Sequence, residues 1–474
     1  MASFLMPTLS TARPQAGSEA ARRLSPAYVS AWLFGPVSAA PLVSFRVLFG
    51  LLTLFSSLRF LALGWVEAQY GSSALKFSYS GFEWVEYTGQ TGLYLLYGLM
   101  ILASLGIILG ALYRLSAVVF FLAFSYVELI DKTYYLNHYY FVSLVAFWMI
   151  WVPAHRSHSL DAGWWPRLRG ATVPRWSVLL FQFQLAVVYT YAGLAKITPH
   201  WLLEAMPLRL WLPAQDHTPL IGPLLHQDWV AYVFSWAGML FDCTIILWLC
   251  LRRTRPWAYL AVLGFHALTG YWFQIGVFPL VMSALVLVFF SPAWHARVQA
   301  GLARLLGSAP HPGAAPAPPA PSLGWLRPAT LLVLGLYVGF QLLYPWRYLL
   351  YGGNRFWHER GYRFGWRVML MEKAGTATFY VQDGPQGRRG AVRNEDFLND
   401  HQVKQMSFQP DMILQYAHWL AAHYQQQGMQ RPQVRAEVYV TLNGQPSQLL
   451  VDPAVDLAQV SDEQTHWILP HAER

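Results

Sequence analysis

The chain has 474 residues, 55% of them hydrophobic and 12% charged, where an average soluble domain is roughly a quarter charged. That balance excludes an ordinary soluble enzyme, and the 22 Trp and 26 Tyr are residue types that collect where bilayer meets water. The formal net charge of +9 lies largely in short loops between apolar runs, where it sets membrane orientation and is no nucleic-acid signal.

Residues 1–39 read as a cytoplasmic N-terminal segment. It carries Arg13, Arg22 and Arg23 and lacks the apolar core of a cleaved signal peptide. Apolar runs of spanning length follow near Pro41–Phe60, Leu93–Leu112, Ser116–Ile130, Tyr140–Val152, Trp176–Leu194, Trp229–Leu251, Trp257–Tyr271, Ile275–Phe290 and Thr330–Leu350. With the N-terminus inside, the Arg-dense loops (Arg114; Arg156 to Arg175; Arg252 to Arg255; Arg297 to Arg327) all fall on the cytoplasmic side, as the positive-inside bias requires. Residues 40–351 are therefore expected to form a transmembrane helical domain, interrupted by a Pro/Ala-rich linker at 306–323.

Residues 352–474 are polar and contain no span. Thr376–Gln382 alternates as a strand does, and Asp411–Gln427 carries a helical apolar face. Gln433–Leu442 alternates again and meets Asn443-Gly444, a hairpin turn leading into Ser447–Val451. The expected fold is a polytopic α-helical membrane protein of about nine transmembrane helices with a small C-terminal α+β exoplasmic domain. Cys243 and Cys250 share one apolar run, and on a helix they stand roughly 10 Å apart, beyond disulfide reach. No Cys/His spacing suggests a metal site.

Ionisable groups at the edges of spans need a reason. Asp131 and Lys132 read as a pair anchoring a helix end. Asn137 and His138 lead straight into an apolar run, and His138 reads as packing or as chemistry. Lys196 reads as a snorkelling anchor or as a base, and the second role calls for a buried lysine without a carboxylate partner. His266 and Asp242 lie within spans, with Asp242's partner open, and Arg46 reads as snorkelling to the cytoplasmic headgroups. The topology gathers His138, Lys196, His266 and the C-terminal domain on one side.

These residues also carry a resemblance. Asp131-Lys132-Thr133-Tyr134-Tyr135-Leu136-Asn137-His138, Ala192-Gly193-Leu194-Ala195-Lys196, Gly238 to Asp242, Phe265-His266, Ile275 to Phe278, Phe364-Gly365-Trp366, Asp411 to Ala417 and Asp452 to Asp456 resemble, in order, the vitamin K-dependent gamma-glutamyl carboxylase family. The resemblance runs from about residue 40 to about residue 465. It implies a membrane enzyme that oxidises reduced vitamin K with O2 to the epoxide and uses the energy to carboxylate a peptide Glu with CO2. Reduced vitamin K, O2 and CO2 are the implied co-substrates, with no metal.

By the same resemblance Lys196 deprotonates the quinol, His138 stabilises developing charge with Asn137 beside it, and His266, Arg209 and Trp366 are pocket residues. The implied partners are a Glu-containing protein or peptide, membrane lipid and a quinone reductase, with no nucleic acid. A bacterial cell membrane is the expected location. Three departures stand out. No cysteine falls on the exoplasmic side to staple the two parts. Little chain follows Asp456, so propeptide recognition of the animal kind is not expected. Ala195-Lys196 replaces the two adjacent lysines of animal members. The rival readings are a quinol-oxidising homologue without Glu carboxylation and a non-enzymatic quinone- or lipid-binding membrane protein.

Overall fold

The computed structural model describes residues 25–273, 275–305 and 326–472. The linker at 306–323 and Arg13, Arg22 and Arg23 lie outside the described residues. All nine apolar runs are largely helical: α1 (Ala40–Ala62), α2 (Gly89–Leu109), α3 (Tyr113–Ile130), α4 (Asn137–Trp151), α5 (Trp176–Ala195), α6 (Asp228–Cys250), α7 (Arg255–Trp272), α8 (Phe278–Leu285) and, after α9 (Pro292–Leu305), α10 (Leu326–Leu343).

Six of these are long and apolar enough to cross a membrane: α1, α2, α3, α5, α6 and α10 with its 3-10 extension to Leu350. The expected count of nine is not confirmed by these lengths and compositions. Helix α4 has 15 residues, about 22 Å at 1.5 Å each, against a hydrocarbon core of about 30 Å. Helix α7 is long enough but too polar, and Phe278–Phe289 bends by 117° into α9, so that pair adds one span at most.

The bundle turns apolar side chains outward. Leu95, Leu102, Leu122, Leu247, Trp257 and Leu336 are exposed, as a lipid-facing surface requires. Polar groups inside are tied down. Thr53 on α1 and Ser104 on α2 share a 2.9 Å hydrogen bond between helices. Arg46 does not snorkel. It is fully buried, and its Nη2 donates to the His158 carbonyl at 2.5 Å. Gly110, at φ +62, ends α2 beside it, where a Cβ would stand 1.8 Å from Arg46 Nη1.

Two short strands, β1 (Pro36–Ser38) and β2 (Thr172–Pro174), pair antiparallel at the foot of α1 and α5. The C-terminal unit is a four-stranded sheet with order β4-β3-β5-β6. Its long strands β3 (Lys373–Asp383) and β5 (Pro432–Leu442) pair antiparallel from Lys373↔Leu442 to Asp383↔Pro432. β4 (Gly390–Ala391) and β6 (Gln448–Leu449) are short edges. Helix α12 (Pro410–Gln426), preceded by α11 (Asp400–Met406), packs Ile413, Tyr416, Ala417 and Leu420 into a core with Phe379, Val434 and Val438. Asn443 (φ 50) and Gly444 (φ 74) make the predicted turn, since two positive φ angles match the twist of the strands they join.

The 131–138 stretch is the seat of this unit. Asp131 and Lys132 do not pair with each other, contrary to expectation. Asp131 accepts from Thr133 Oγ1 at 2.7 Å and Gln402 Nε2 at 2.6 Å, and Lys132 Nζ reaches Asp411 Oδ2 at 2.9 Å. Arg363 completes the junction at 2.7 Å from Asp411. The Tyr134 ring stacks on His401, 4.6 Å between centroids. Asp131 Oδ1 also accepts from the Thr133 N–H at 2.9 Å and caps the turn, which leaves its Oδ2 and the Lys132 amine to reach across.

Candidate active site

A cavity of about 410 Å³ opens between α5, α6, α7 and α8. It is walled by aromatic and aliphatic side chains, among them Trp201, Phe241, Phe265 and Phe278. Lys196 caps the C-terminal end of α5 with only 6% of its surface exposed. Its Nζ donates to Asp242 Oδ2 at 2.7 Å and to the Ala192 carbonyl at 3.3 Å, and lies 5.3 Å from the centre of the Trp201 ring. The expectation of a lysine without a carboxylate partner is therefore corrected. The partner sits 46 positions away, on the neighbouring helix.

Close helix approach makes this pair possible. Gly193 faces α6 so tightly that a Cβ would fall 2.6 Å from Cys243 Sγ and 2.8 Å from its backbone nitrogen. Glycine at this point of α5 lets the two backbones meet, and Lys196 and Asp242 then lie within reach. Trp201 is fixed over the amine by its Nε1, which donates to the Ser235 carbonyl at 2.9 Å, and by the Ser235 hydroxyl, which donates back to the Trp201 carbonyl. Two opposite charges in apolar walls hold each other. Removing one partner of such a pair typically costs about 3–5 kcal/mol.

His266, 1% exposed, also lines the cavity, and its Nε2 shares a 2.8 Å hydrogen bond with the Tyr189 hydroxyl. Lys196 and His266 thus both line one chamber. His138 stands one ring outside it. Buried in the first turn of α4, its ring centre lies 5.4 Å from that of Phe278, which lies 5.7 Å from that of His266. Its Nε2 has no hydrogen-bond partner among the described residues.

Asn137 is spent on positioning. Its Nδ2 donates to the Arg367 carbonyl at 2.8 Å, and its Oδ1 accepts from Tyr135 Oη at 3.1 Å. Tyr135 Oη in turn accepts from the Phe364 N–H at 2.7 Å. Together they hold a strap, residues 364–369, that leads from the bundle towards β3. The strap has positive φ at Phe364, Trp366 and Met369, a conformation costing a non-glycine residue roughly 1 kcal/mol or more. Val368 and Met369 then close one side of the cavity. Trp366 does not reach the chamber. Its ring is 1% exposed and stacks on Tyr140 at 4.9 Å, pinning the strap. Arg209 lies outside as well, partly exposed and bidentate to Asp228 at 3.0 and 2.9 Å, while its neighbours Leu208 and Trp211 line the wall.

Sequence reasoning noted Asp242 as a carboxylate at membrane depth but could not assign it. It missed Tyr189, Tyr135 and the Val368–Met369 strap. Their only signals were hydroxyls beside spans and a bulky pair near Trp366.

The chamber's size falls within the range of small-molecule sites, and an amine–carboxylate pair facing aromatic walls suits a flat, weakly acidic ligand that gives up a proton. Among the described residues no cluster of His, Cys, Asp or Glu could hold a metal ion.

Comparison with known families agrees over most of the chain. The family described as HTTM domain matches residues 34–294, and the vitamin K-dependent gamma-carboxylase, lumenal domain, matches residues 326–474. No solved structure matches. The first match covers the bundle that forms the chamber and the second the unit that supplies its strap, and the chain belongs to the vitamin K-dependent gamma-glutamyl carboxylase family.

Proposed function

We propose that this protein is an integral membrane carboxylase that oxidises reduced vitamin K with O2 and couples the energy to addition of CO2 to a peptide Glu. The observation that carries this reading is the buried Lys196–Asp242 pair opening on an aromatic cavity whose one side is supplied by the strap of the carboxylase unit. Lys196 passes its proton to Asp242 and, as the free amine, takes the quinol proton, while Asp242 orients it. His266, held by Tyr189, donates to or accepts from the ligand ring at the opposite wall. His138 meets the charge that develops as the Glu side chain reacts, while Asn137 and Trp366 hold the strap and Arg209 holds the Leu208–Trp211 turn.

The protein works in a membrane, with the N-terminus cytoplasmic and the C-terminal unit exoplasmic; the Ala- and Arg-rich composition favours a bacterial cell membrane, and an endoplasmic reticulum membrane obeys the same charge rule. Its partners are a Glu-containing protein or peptide, lipid, and a reductase that regenerates the quinol. The test uses purified protein in lipid with reduced vitamin K, O2, labelled bicarbonate and a Glu-rich peptide. Epoxide and labelled peptide are both expected. Epoxide alone would leave a quinol oxidase without Glu carboxylation, and neither product would leave a quinone-binding protein. His138→Ala is expected to impair labelling at least as much as epoxide formation. The reverse pattern would move His138 to the quinol step.

A further inference from the structure

A second, smaller cavity lies behind the first. It holds about 50 Å³, room for a few waters. Helix α8 is the partition: Phe278 and Met282 line the Lys196 chamber, and Val277, Val281 and Leu285 line the second cavity. Glu128 faces this second space from within α3. It is a carboxyl group inside a spanning helix, and no ion pair or hydrogen bond engages it among the described residues. It sits in the last turn of α3, and a carboxyl group that lines a cavity without a cation is costly to ionise and calls for a function.

Among the described residues that line it, the polar groups are mostly hydroxyls and none is a cation. Tyr97 faces it from α2, Tyr70 from the short helix Trp65–Tyr70, Tyr134 from the turn at 132–134 and Tyr139 from α4; α1 contributes Thr53 and Ser57, and α8 only apolar groups. The cavity has two neighbours. Tyr139 follows His138, whose ring packs on Phe278 in the partition. At the other end, Gln69 and Tyr134 also line a surface vestibule beside the C-terminal unit, with Asn399, Asp400 and His401.

We propose that Glu128 is the group through which the proton released in each carboxylation leaves the chamber. The inference rests on the function proposed above. Quinol and O2 give epoxide and water with no proton left over. At the Glu γ-carbon a C–H bond breaks and a C–C bond to CO2 forms, giving a carboxylate and one proton. An apolar chamber cannot store that proton, and the Lys196–Asp242 pair must be free of it before the next turnover. In each turnover Glu128 releases its proton past Gln69 and Tyr134 to the vestibule and takes up the new one from water on the His138 and Tyr139 side.

The test compares wild type, Glu128→Gln and Glu128→Asp, purified in lipid, in the carboxylation assay across pH and in H2O against D2O. Glu128→Gln is expected to keep the wild-type KM and melting temperature and lose about tenfold or more in kcat. Its loss should ease as pH rises, with a larger solvent isotope effect than wild type, and Glu128→Asp should recover part of the rate. Wild-type kcat, pH profile and isotope effect in Glu128→Gln would overturn the proposal. A second readout needs no turnover. Infrared difference spectra against Glu128→Gln should show a carboxyl band that exchanges readily with D2O in the resting protein, and a band that fails to exchange would overturn the proposal even if the carboxylation reading itself failed.

Discussion

Two lysine–aspartate pairs divide the labour of this molecule. Lys196–Asp242 spans 2.7 Å with both side chains under a tenth exposed, and it faces an aromatic chamber. Lys132–Asp411 spans 2.9 Å, but Asp411 is 44% exposed and shared with Arg363. The groups are the same and the surroundings differ. A dry pair with one cation and one anion has a proton to move when a ligand arrives. A wet carboxylate between two cations has none to offer, because both neighbours keep it ionised. Under the proposed function the first pair carries the chemistry, and the second holds two units together.

The sharpest way to break the comparison is to remove the amine from each. Lys196→Ala is expected to abolish epoxide formation, a loss on the order of 10²–10⁴-fold for a positioned base. Asp242→Asn should follow closely, and wild-type epoxide yield in either variant would remove the pair from the mechanism. Lys132→Ala should retain most activity in protein that folds.

Asp411→Asn strands the buried Lys132 ammonium and should cost about 1–3 kcal/mol of stability, read as a lower denaturation midpoint. Its pH dependence has a definite sign. Burial pushes the Asp411 carboxyl up, but Arg363 and Lys132 outweigh it and hold the group well below the usual carboxylate range. A depressed folded value means the stabilisation is fully present above the unfolded value of about 4 and fades as pH falls below it. Wild type should therefore lose stability more steeply than Asp411→Asn on acidification below about pH 4. Parallel curves would show that the junction does not depend on this charge.

Smaller effects sharpen the assignment of the chamber. Tyr189→Phe removes one hydrogen bond from His266, worth about 1 kcal/mol, and should raise the quinol KM severalfold with little change in melting temperature. Arg209→Ala, a surface pair outside the cavity, should shift both stability and turnover least, by under about 1 kcal/mol. A large loss of turnover there would bring Arg209 back to the ligand.

Periodicity made the helices and the sheet legible: α12 and the β5 hairpin fall within a few residues of the expected places, because local patterns set them. The apolar runs outnumber the helices of spanning length among the described residues because run length ignores the bend after Phe289 and the shortness of α4. In the site, Lys196 and His266 were legible as unusual groups on one side. Their partners were not, since Asp242 and Tyr189 meet them only after α6 and α7 pack on α5. Asp131 and Lys132 misled for the same reason. Adjacent opposite charges look like a pair until a third segment offers each something better.

The strap has a mechanical consequence. Met369 lies in the chamber wall, and β3 begins at Lys373, four residues on. Four residues reach at most about 14 Å. The sheet and the chamber wall are thus on a short tether, and a polypeptide that pulls on one tugs the other. Substrate seated on the sheet would have a handle on the space around the amine.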